Sequence, residues 1–184
     1  MKKKPPFNQN ATIRGAIRRA FARSPSVIDK MNESRREVPR YRQDGSRAKK
    51  NWVQRQCEVC QQWASSTKMS VDHIEPVVSV DDGFIDWNVF VARLWCDKSN
   101  LQRICDDCHD KKTYKERITR NLKQYTKELD ELEKNLNDYL ASHSIDNADS
   151  LYKKLLSKYT AKKKTKEFAP IVQRAQALKD LLKK

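Results

Sequence analysis

Apolar side chains recur at helical spacing near the start of the chain. Over residues 11–23 they fall every three or four positions, which predicts an amphipathic helix with its arginines on other faces. Ser-Pro at residues 24–25 favours the end of this helix and the start of another, because proline is tolerated in a first helical turn. A second short helix should therefore follow and end before Pro39. Residues 39–51 are predicted to form a basic loop.

The strand signals lie in the centre of the chain, within residues 52–114. The segment 67–73 alternates loosely between apolar and polar residues, and Pro76 then stops regular pairing because proline has no N–H to donate. Asp86 is a candidate N-cap for a short helix through Trp95, with apolar residues at positions i, i+3, i+4 and i+7. We expect this aromatic stripe to lie in the core rather than to stack on bases.

A long helix is predicted from Asp106 onward. Apolar residues keep a 4-3 spacing over residues 118–139, which is typical of a coiled-coil seam. A polar break follows at 142–147, then a further predicted helix with Leu151, Leu155 and Tyr159, and Pro170 opens a last one. The seam either folds back on these helices or pairs between two chains, and the sequence leaves both arrangements open.

Composition excludes several classes of protein. The chain has three glycines in 184 residues, which excludes a glycine-rich phosphate loop and a dinucleotide-binding fold. No apolar run reaches the roughly 18 residues that span a bilayer, and no apolar segment follows the basic N-terminus. We therefore expect an intracellular protein that does not enter a membrane.

The net charge of +15 is unevenly distributed. Residues 1–56 carry 16 Lys/Arg against 4 Asp/Glu, residues 57–114 carry 6 against 10, and residues 115–184 carry 17 against 10. Basic arms around an acidic centre favour a polyanion that the arms hold and the centre recognises or cleaves. The loop 40–50 and the run 162–166 are the best candidates for following a phosphate backbone. Solubility alone is the competing explanation.

Four of the five cysteines form two Cys-x-x-Cys pairs, Cys57 with Cys60 and Cys105 with Cys108. Thiolates suit zinc, and the two-residue spacer lets both sulfurs of a pair face one tetrahedral ion. Two matched pairs favour structural zinc over a redox dithiol, although the 44 intervening residues form a long loop. Cys96 is interpreted as a small core residue.

A zinc ion would place the start of the strand region beside the start of the long helix. His109, in the first turn of that helix, would then lie opposite Asp72 and His73. Two of the three histidines thus fall in one place, whereas His143 is expected to be exposed and without a role.

Together these residues resemble a known family. The segments DHIEP at 72–76, NLQRIC at 100–105, CH at 108–109 and KT at 112–113 are similar to the signature of zinc-stabilised HNH endonucleases. GFIDW at 83–87 resembles a segment of small bacteriophage-encoded members. The likeness covers residues 40–117, and several separated positions must match together. The 26 residues between His73 and Asn100 exceed a compact HNH hairpin, and the predicted helix through Trp95 accounts for the excess.

The resemblance implies an α+β, predominantly helical protein. A ββα-metal nuclease core with a four-cysteine zinc site would occupy residues 51–117. A basic arm with two short helices would precede it at 1–50, and a coiled-coil-like region for DNA binding or dimerisation would follow at 118–184.

The implied activity is metal-dependent hydrolysis of DNA phosphodiester bonds, by nicking or by double-strand cleavage. His73 would be the general base, since imidazole titrates near neutral pH. Asp72 and His109 would hold one divalent cation, Mg²⁺ or Mn²⁺, which acts as a Lewis acid. The Asn100 amide would hydrogen-bond the backbone of the loop that carries His73.

Basic residues of the loop and of the core are the candidate DNA contacts, with weak sequence preference expected: Arg40, Arg42, Arg47, Lys49, Lys50, Arg103, Lys112 and Arg117. Simpler explanations compete throughout. Asp72 and Asn100 could be turn residues, His109 could be a zinc ligand, and the basic side chains could merely be solvated.

The alternative for the whole chain is a non-catalytic zinc protein that binds DNA or serves in assembly. If it is an endonuclease, dimerisation through the heptad helix would allow both strands to be cut. Its expected location is the cytoplasm of a phage-infected host cell.

Overall fold

The computed structural model describes residues 7–142, 156, 157, 159 and 166–181. The chain is α+β and divides into two compact units, Met1–Thr113 and Tyr114–Lys184. Among the described residues, none of the helices combines the length and apolar character that crossing a membrane requires.

The first unit begins with the two helices that the apolar spacing predicted. Helix α1 covers Gln9–Phe21 and helix α2 covers Pro25–Asn32. The side chains of Asn8 and Ser24 cap them by accepting a hydrogen bond from a backbone N–H of the first turn. Such caps satisfy donors that a helix start otherwise leaves unpaired.

A three-stranded antiparallel sheet follows, made of β1 (Arg35–Val38), β2 (Trp52–Gln56) and β3 (Trp63–Ser65) in the order β1-β2-β3. The basic segment 39–51, predicted as a loop, connects β1 to β2. The Ala48 N–H donates to the Arg40 carbonyl over 2.8 Å, so the segment closes as a hairpin between β1 and β2.

A second, two-stranded sheet pairs β4 (Met69–His73) with β5 (Leu101–Cys105). In its antiparallel register Met69 faces Cys105 and His73 faces Leu101. Helix α3 (Trp87–Leu94) lies between the two strands in the sequence and carries the predicted Asp86 N-cap, whose carboxylate accepts from the Val89 N–H over 2.9 Å.

Helix α4 (Asp106–Ser142) begins directly after β5, so the pairing strands run straight into the long helix that the sequence predicted. The local order is therefore strand, strand, helix, with α3 inserted between the strands.

The core of the first unit forms where α1 and α3 meet the second sheet. Phe90 and Leu94 of α3 are each 1% exposed and pack with Phe21, Val77 and Leu101. Partly buried residues surround this cluster, Cys96 among them, as predicted. The aromatic stripe of α3 is therefore core, although Val91 on the same helix is 40% exposed.

The second unit buries the heptad seam within the chain itself. Leu129 and Leu136 of α4 pack against Leu156, Tyr159 and buried residues of the last described helix, α5 (Ala169–Leu181). Of the two arrangements left open by the sequence, the described residues show the intramolecular one. A homodimer through this seam has no support, because the chain's own helices cover it. The predicted start of the helix after the polar break lies outside the described residues.

Replacing Phe90 by alanine should destabilise the first unit by about 3–5 kcal/mol, because a fully buried ring would leave a cavity. Urea denaturation followed by tryptophan fluorescence measures this, since all four tryptophans lie in the first unit. Val91→Ala on the same helix is the matched control and should cost less than about 1 kcal/mol. Equal losses in the two variants would contradict the assignment of Phe90 to the core.

Candidate functional site

The four paired cysteines converge on one point. Cys57 and Cys60 lie in the turn between β2 and β3, whereas Cys105 ends β5 and Cys108 lies in the first turn of α4. Their sulfur atoms are all within 4.8 Å of one another. A search of the described residues for three or more potential metal ligands close together finds these four cysteines. The predicted four-cysteine cluster is confirmed.

The first pair sits in a tight turn. The Gln61 N–H donates to the Cys57 carbonyl over 2.9 Å, and the Cys57 N–H donates to the Gln62 carbonyl over 2.9 Å. Gln61 has φ = 61°, a left-handed conformation that glycine adopts more readily. The side-chain amide of Gln61 donates to the Glu58 carbonyl over 2.8 Å and so helps to hold this conformation.

The dimensions of the cluster fit zinc. Zn–S bonds of about 2.3 Å in a tetrahedron place neighbouring sulfurs about 3.8 Å apart. The Cys60 and Cys105 sulfurs, which come from opposite pairs, are 3.8 Å apart. The Cys105 N–H also donates to the Cys57 sulfur over 3.4 Å. A metal ion such as zinc would have four thiolate ligands here, which makes the site structural because no position remains open for substrate.

The local electrostatics favour one thiolate in the cluster and oppose the joint ionisation of all four. Burial raises the pKa of the Cys57 thiol, but hydrogen bonds from the backbone N–H groups of Cys60, Cys105 and Val59 outweigh burial and lower that pKa to about 7. Burial and the neighbouring thiols raise the pKa of Cys108 to about 12. One thiolate is thus favoured, and four together require a positive ion.

His73 ends strand β4 and is 7% exposed. Its Nε2 lies 2.9 Å from the Leu94 carbonyl oxygen at the end of α3. Its ring packs against Phe21 of α1, with centroids 5.1 Å apart. Neither contact can be predicted from the sequence, because a backbone carbonyl carries no sequence signal and the spacing predicts α1 only as part of a separate arm.

Asn100 links the two strands of the second sheet at the end where His73 lies. Its side-chain Oδ1 accepts from the Glu75 N–H over 2.8 Å, and its carbonyl accepts from the Ile74 N–H over 2.8 Å. The asparagine amide therefore holds the backbone that follows His73, which is the contact that the resemblance implied.

The Asp72 carboxylate contacts the Lys112 ammonium of α4, and the same ammonium donates to the His73 carbonyl. Lys112 thus brings one face of α4 beside the end of β4. His109 precedes Lys112 by three residues, and residues three apart share a helix face. Asp72, His73 and His109 do not form a three-ligand metal group in the described part of the chain. A cation held by Asp72 and His109 alone would complete its coordination with water and substrate.

Arg103 is placed differently from its prediction as a DNA contact. Its side chain is 8% exposed, and its guanidinium pairs with Glu33 at 2.9 Å and with Glu58 at 3.0 Å. It also donates to the Lys30 carbonyl over 2.8 Å. Its side chain is buried and its donors are engaged by these partners, so Arg103 is not presented to a phosphate, and we assign it to packing between α2, β5 and the cysteine turn.

The carboxylate of Glu33 is part of the same network. The ammonium of Lys98 lowers its pKa most, partial burial opposes this, and Arg103 and Lys30 lower it further, to about 2. Glu33 is therefore ionised at neutral pH and can balance the buried guanidinium.

The remaining predicted DNA contacts are exposed or half-buried basic groups. Five of them lie in or beside the hairpin that joins β1 to β2, all exposed: Arg40, Arg42, Arg47, Lys49 and Lys50. Arg117 is exposed on α4, in the second unit, with its guanidinium 5.5 Å from the centre of the Tyr114 ring. Within the run 162–166, residues 162–165 lie outside the described residues, as does His143.

The comparisons with known proteins return no match: no protein-family model, no curated protein and no solved structure is similar to the chain.

Loss of one ligand should abolish metal binding by the cluster. Cys57→Ser is expected to remove bound zinc and to reduce the folded fraction, because metal binding and folding are coupled in small zinc domains. Elemental analysis of the purified protein with circular dichroism measures both. Cys96→Ser, a cysteine outside the cluster, is the matched control and should keep its zinc. Equal metal content in the two variants would contradict the site.

Zinc affinity should rise with pH. At neutral pH the metal-free cluster holds protons on its thiols, Cys108 above all, and the ion must displace them. Each proton released makes the affinity about tenfold greater per pH unit. Competition with a zinc-binding dye between about pH 6 and pH 8 measures the slope. An affinity that does not change with pH would contradict ligation by four thiolates.

Proposed function

We propose that the protein is a metal-dependent DNA endonuclease of the HNH type. The observation that carries the proposal is the environment of His73 at the end of β4, in a strand-strand-helix unit beside a four-cysteine cluster. Two further sets of contacts support it. Asn100 holds the backbone after His73, and Lys112 places α4 beside Asp72.

The Leu94 carbonyl selects the tautomer of neutral His73. A carbonyl oxygen only accepts hydrogen bonds, so the Nε2 atom 2.9 Å away must carry the proton. In a neutral imidazole the proton is then absent from Nδ1, which keeps its lone pair. Nδ1 is therefore the atom that can take a proton from water. The carbonyl also stabilises the positive charge that forms on the ring after the transfer.

The groups that surround His73 hold the ring in one orientation. The hydrogen bond to Leu94 and the packing against Phe21 restrain the side chain, and the strand pairing of His73 with Leu101 restrains the backbone. A base that is already oriented loses little entropy when it reacts.

The second requirement is a cation near the scissile phosphate. Asp72 offers a carboxylate oxygen, which suits Mg²⁺ or Mn²⁺, and His109 offers an imidazole nitrogen, a ligand more typical of transition metals. A cation bound there would neutralise charge on the phosphate and on the leaving oxygen. The Lys112 ammonium contacts the Asp72 carboxylate, so a cation bound by Asp72 would replace this ion pair.

One observation favours a second candidate, a non-catalytic zinc protein that binds DNA or serves in assembly. His73 is 7% exposed and Asp72 is ion-paired with Lys112, as expected if both residues only stabilise the fold. The two candidates differ in whether the chain cuts DNA.

Nicking of supercoiled plasmid in Mg²⁺ or Mn²⁺ tests the proposal. His73→Ala should lower the rate by about a hundred- to ten-thousand-fold, the contribution of a positioned general base. Because alanine leaves a cavity beside Phe21, added imidazole should restore part of the activity. A purely structural histidine would not show such rescue.

The controls separate chemistry from folding. His143→Ala removes the histidine that is expected to have no role and should nick at the wild-type rate. His73→Ala should keep its zinc and its circular dichroism spectrum. If the wild-type protein leaves the plasmid intact at low salt with both Mg²⁺ and Mn²⁺, the non-catalytic candidate replaces the endonuclease.

A further inference from the structure

The three-stranded sheet has one face turned to the core and one turned outward. Residues directly opposed across antiparallel strands point to the same face. Arg55 and Ala64 are opposed, and Arg55 is 8% exposed, with bonds to the Met31 carbonyl and the Asn32 side chain of α2. Their face is therefore the inner one.

The opposite face carries polar, basic and aromatic side chains. Arg36 faces Gln54, Val38 faces Trp52, and Gln56 faces Trp63 across the sheet. We call this surface the outer face, defined by the residues Arg36, Val38, Trp52, Gln54, Gln56 and Trp63, with Arg40 just beyond β1. None of them is buried in the described structure, and Trp52 is 50% exposed.

Arginine and tryptophan alternate along the outer face. The Arg36 guanidinium lies 4.1 Å from the centre of the Trp63 ring, and the Arg40 guanidinium lies 5.9 Å from the centre of the Trp52 ring. A guanidinium stacked on an indole is held flat and loses little further freedom when it binds.

Arg36 keeps donors for a ligand. Its Nε–H donates to the Gln54 side chain over 2.9 Å, which adds a second restraint on the guanidinium. Among the described residues its two terminal amino groups have no protein acceptor. Two parallel N–H groups on a planar guanidinium match the oxygens of a phosphate.

Positive charge extends from this face into the hairpin loop. Residues 35–50 contain seven Lys/Arg and two acidic residues. Both acids have partners within the hairpin: Glu37 pairs with Arg35 at 2.5 Å, and Asp44 accepts from the Ser46 N–H over 2.8 Å. The other basic side chains of residues 35–50 are therefore available to contact a polyanion.

We propose that the outer face, with the hairpin loop, binds the phosphate backbone of duplex DNA. It would hold the substrate of the proposed endonuclease at a place separate from His73. The Arg36 guanidinium stacked on Trp63 favours duplex over single-stranded nucleic acid, because it occupies a ring face on which an unpaired base would stack. The guanidinium groups point to phosphates rather than to a base sequence, so binding is expected to show little sequence preference.

The test is the affinity of the full-length chain for a labelled duplex without added Mg²⁺ or Mn²⁺, measured by fluorescence anisotropy at several salt concentrations. Arg36→Ala should weaken binding by about tenfold, since it removes a charge-assisted bidentate contact. It should also reduce the slope of log affinity against log salt concentration by about one, the value for one phosphate contact.

Arg35→Ala is the matched control, because Arg35 is the adjacent residue on the same strand, carries the same charge and shares the inner face with Arg55. It should change the affinity less than about twofold, as expected for a residue with no phosphate contact. Arg36→Lys keeps the charge without the planar fork and should bind more weakly than wild type. Zinc content and circular dichroism should be unchanged in all three variants.

Equal losses in Arg35→Ala and Arg36→Ala would overturn the proposal, because general charge would then explain binding. Equal affinity for single-stranded oligothymidine of the same length would also overturn it. The result is independent of cleavage. A chain that never nicks but binds duplex through Arg36 refutes the endonuclease alone, whereas a nicking chain with unchanged affinity in Arg36→Ala refutes this proposal alone.

Discussion

The convergence of four cysteine thiols is the constraint on which the first unit depends. One pair closes the turn between β2 and β3, and the other joins β5 to α4. The cluster therefore links the three-stranded sheet to the strand-strand-helix unit. Met69 and Ile104 pack directly around the sulfurs. Because the thiols resist joint ionisation, a cation bound there and the folded unit would stabilise each other.

A buried ion network reinforces the same junction. Arg103 on β5 reaches Glu58 in the cysteine turn and Glu33 just after α2. A buried guanidinium loses its hydration, and carboxylates must compensate for it. Such a network specifies one packing of α2 against the sheets, since any shift would leave a charge unpaired. The N-terminal helices are for this reason part of the first unit rather than a loose arm.

The candidate site depends on that packing. His73 is oriented by Leu94 from α3, by Phe21 from α1 and by its own strand, so three separate elements converge on one ring. The sheet that presents the outer face is held by the same cysteine turn. In the function proposed here, substrate binding and catalysis would use two surfaces of one metal-stabilised unit.

Several features followed from the sequence alone, because they depend on near neighbours in the chain. The helices α1, α3 and α4, the cap at Asp86 and the pairing of the cysteines are local patterns of spacing. The three-stranded sheet could not be predicted, since β1 is short and charged and gains its structure from partners 14–20 residues away in the register. The burial of Arg103, the Leu94 carbonyl at His73 and the intramolecular covering of the heptad seam were likewise decided by tertiary structure. Each depends on which distant segments the folded chain brings together, and local spacing carries no information about that.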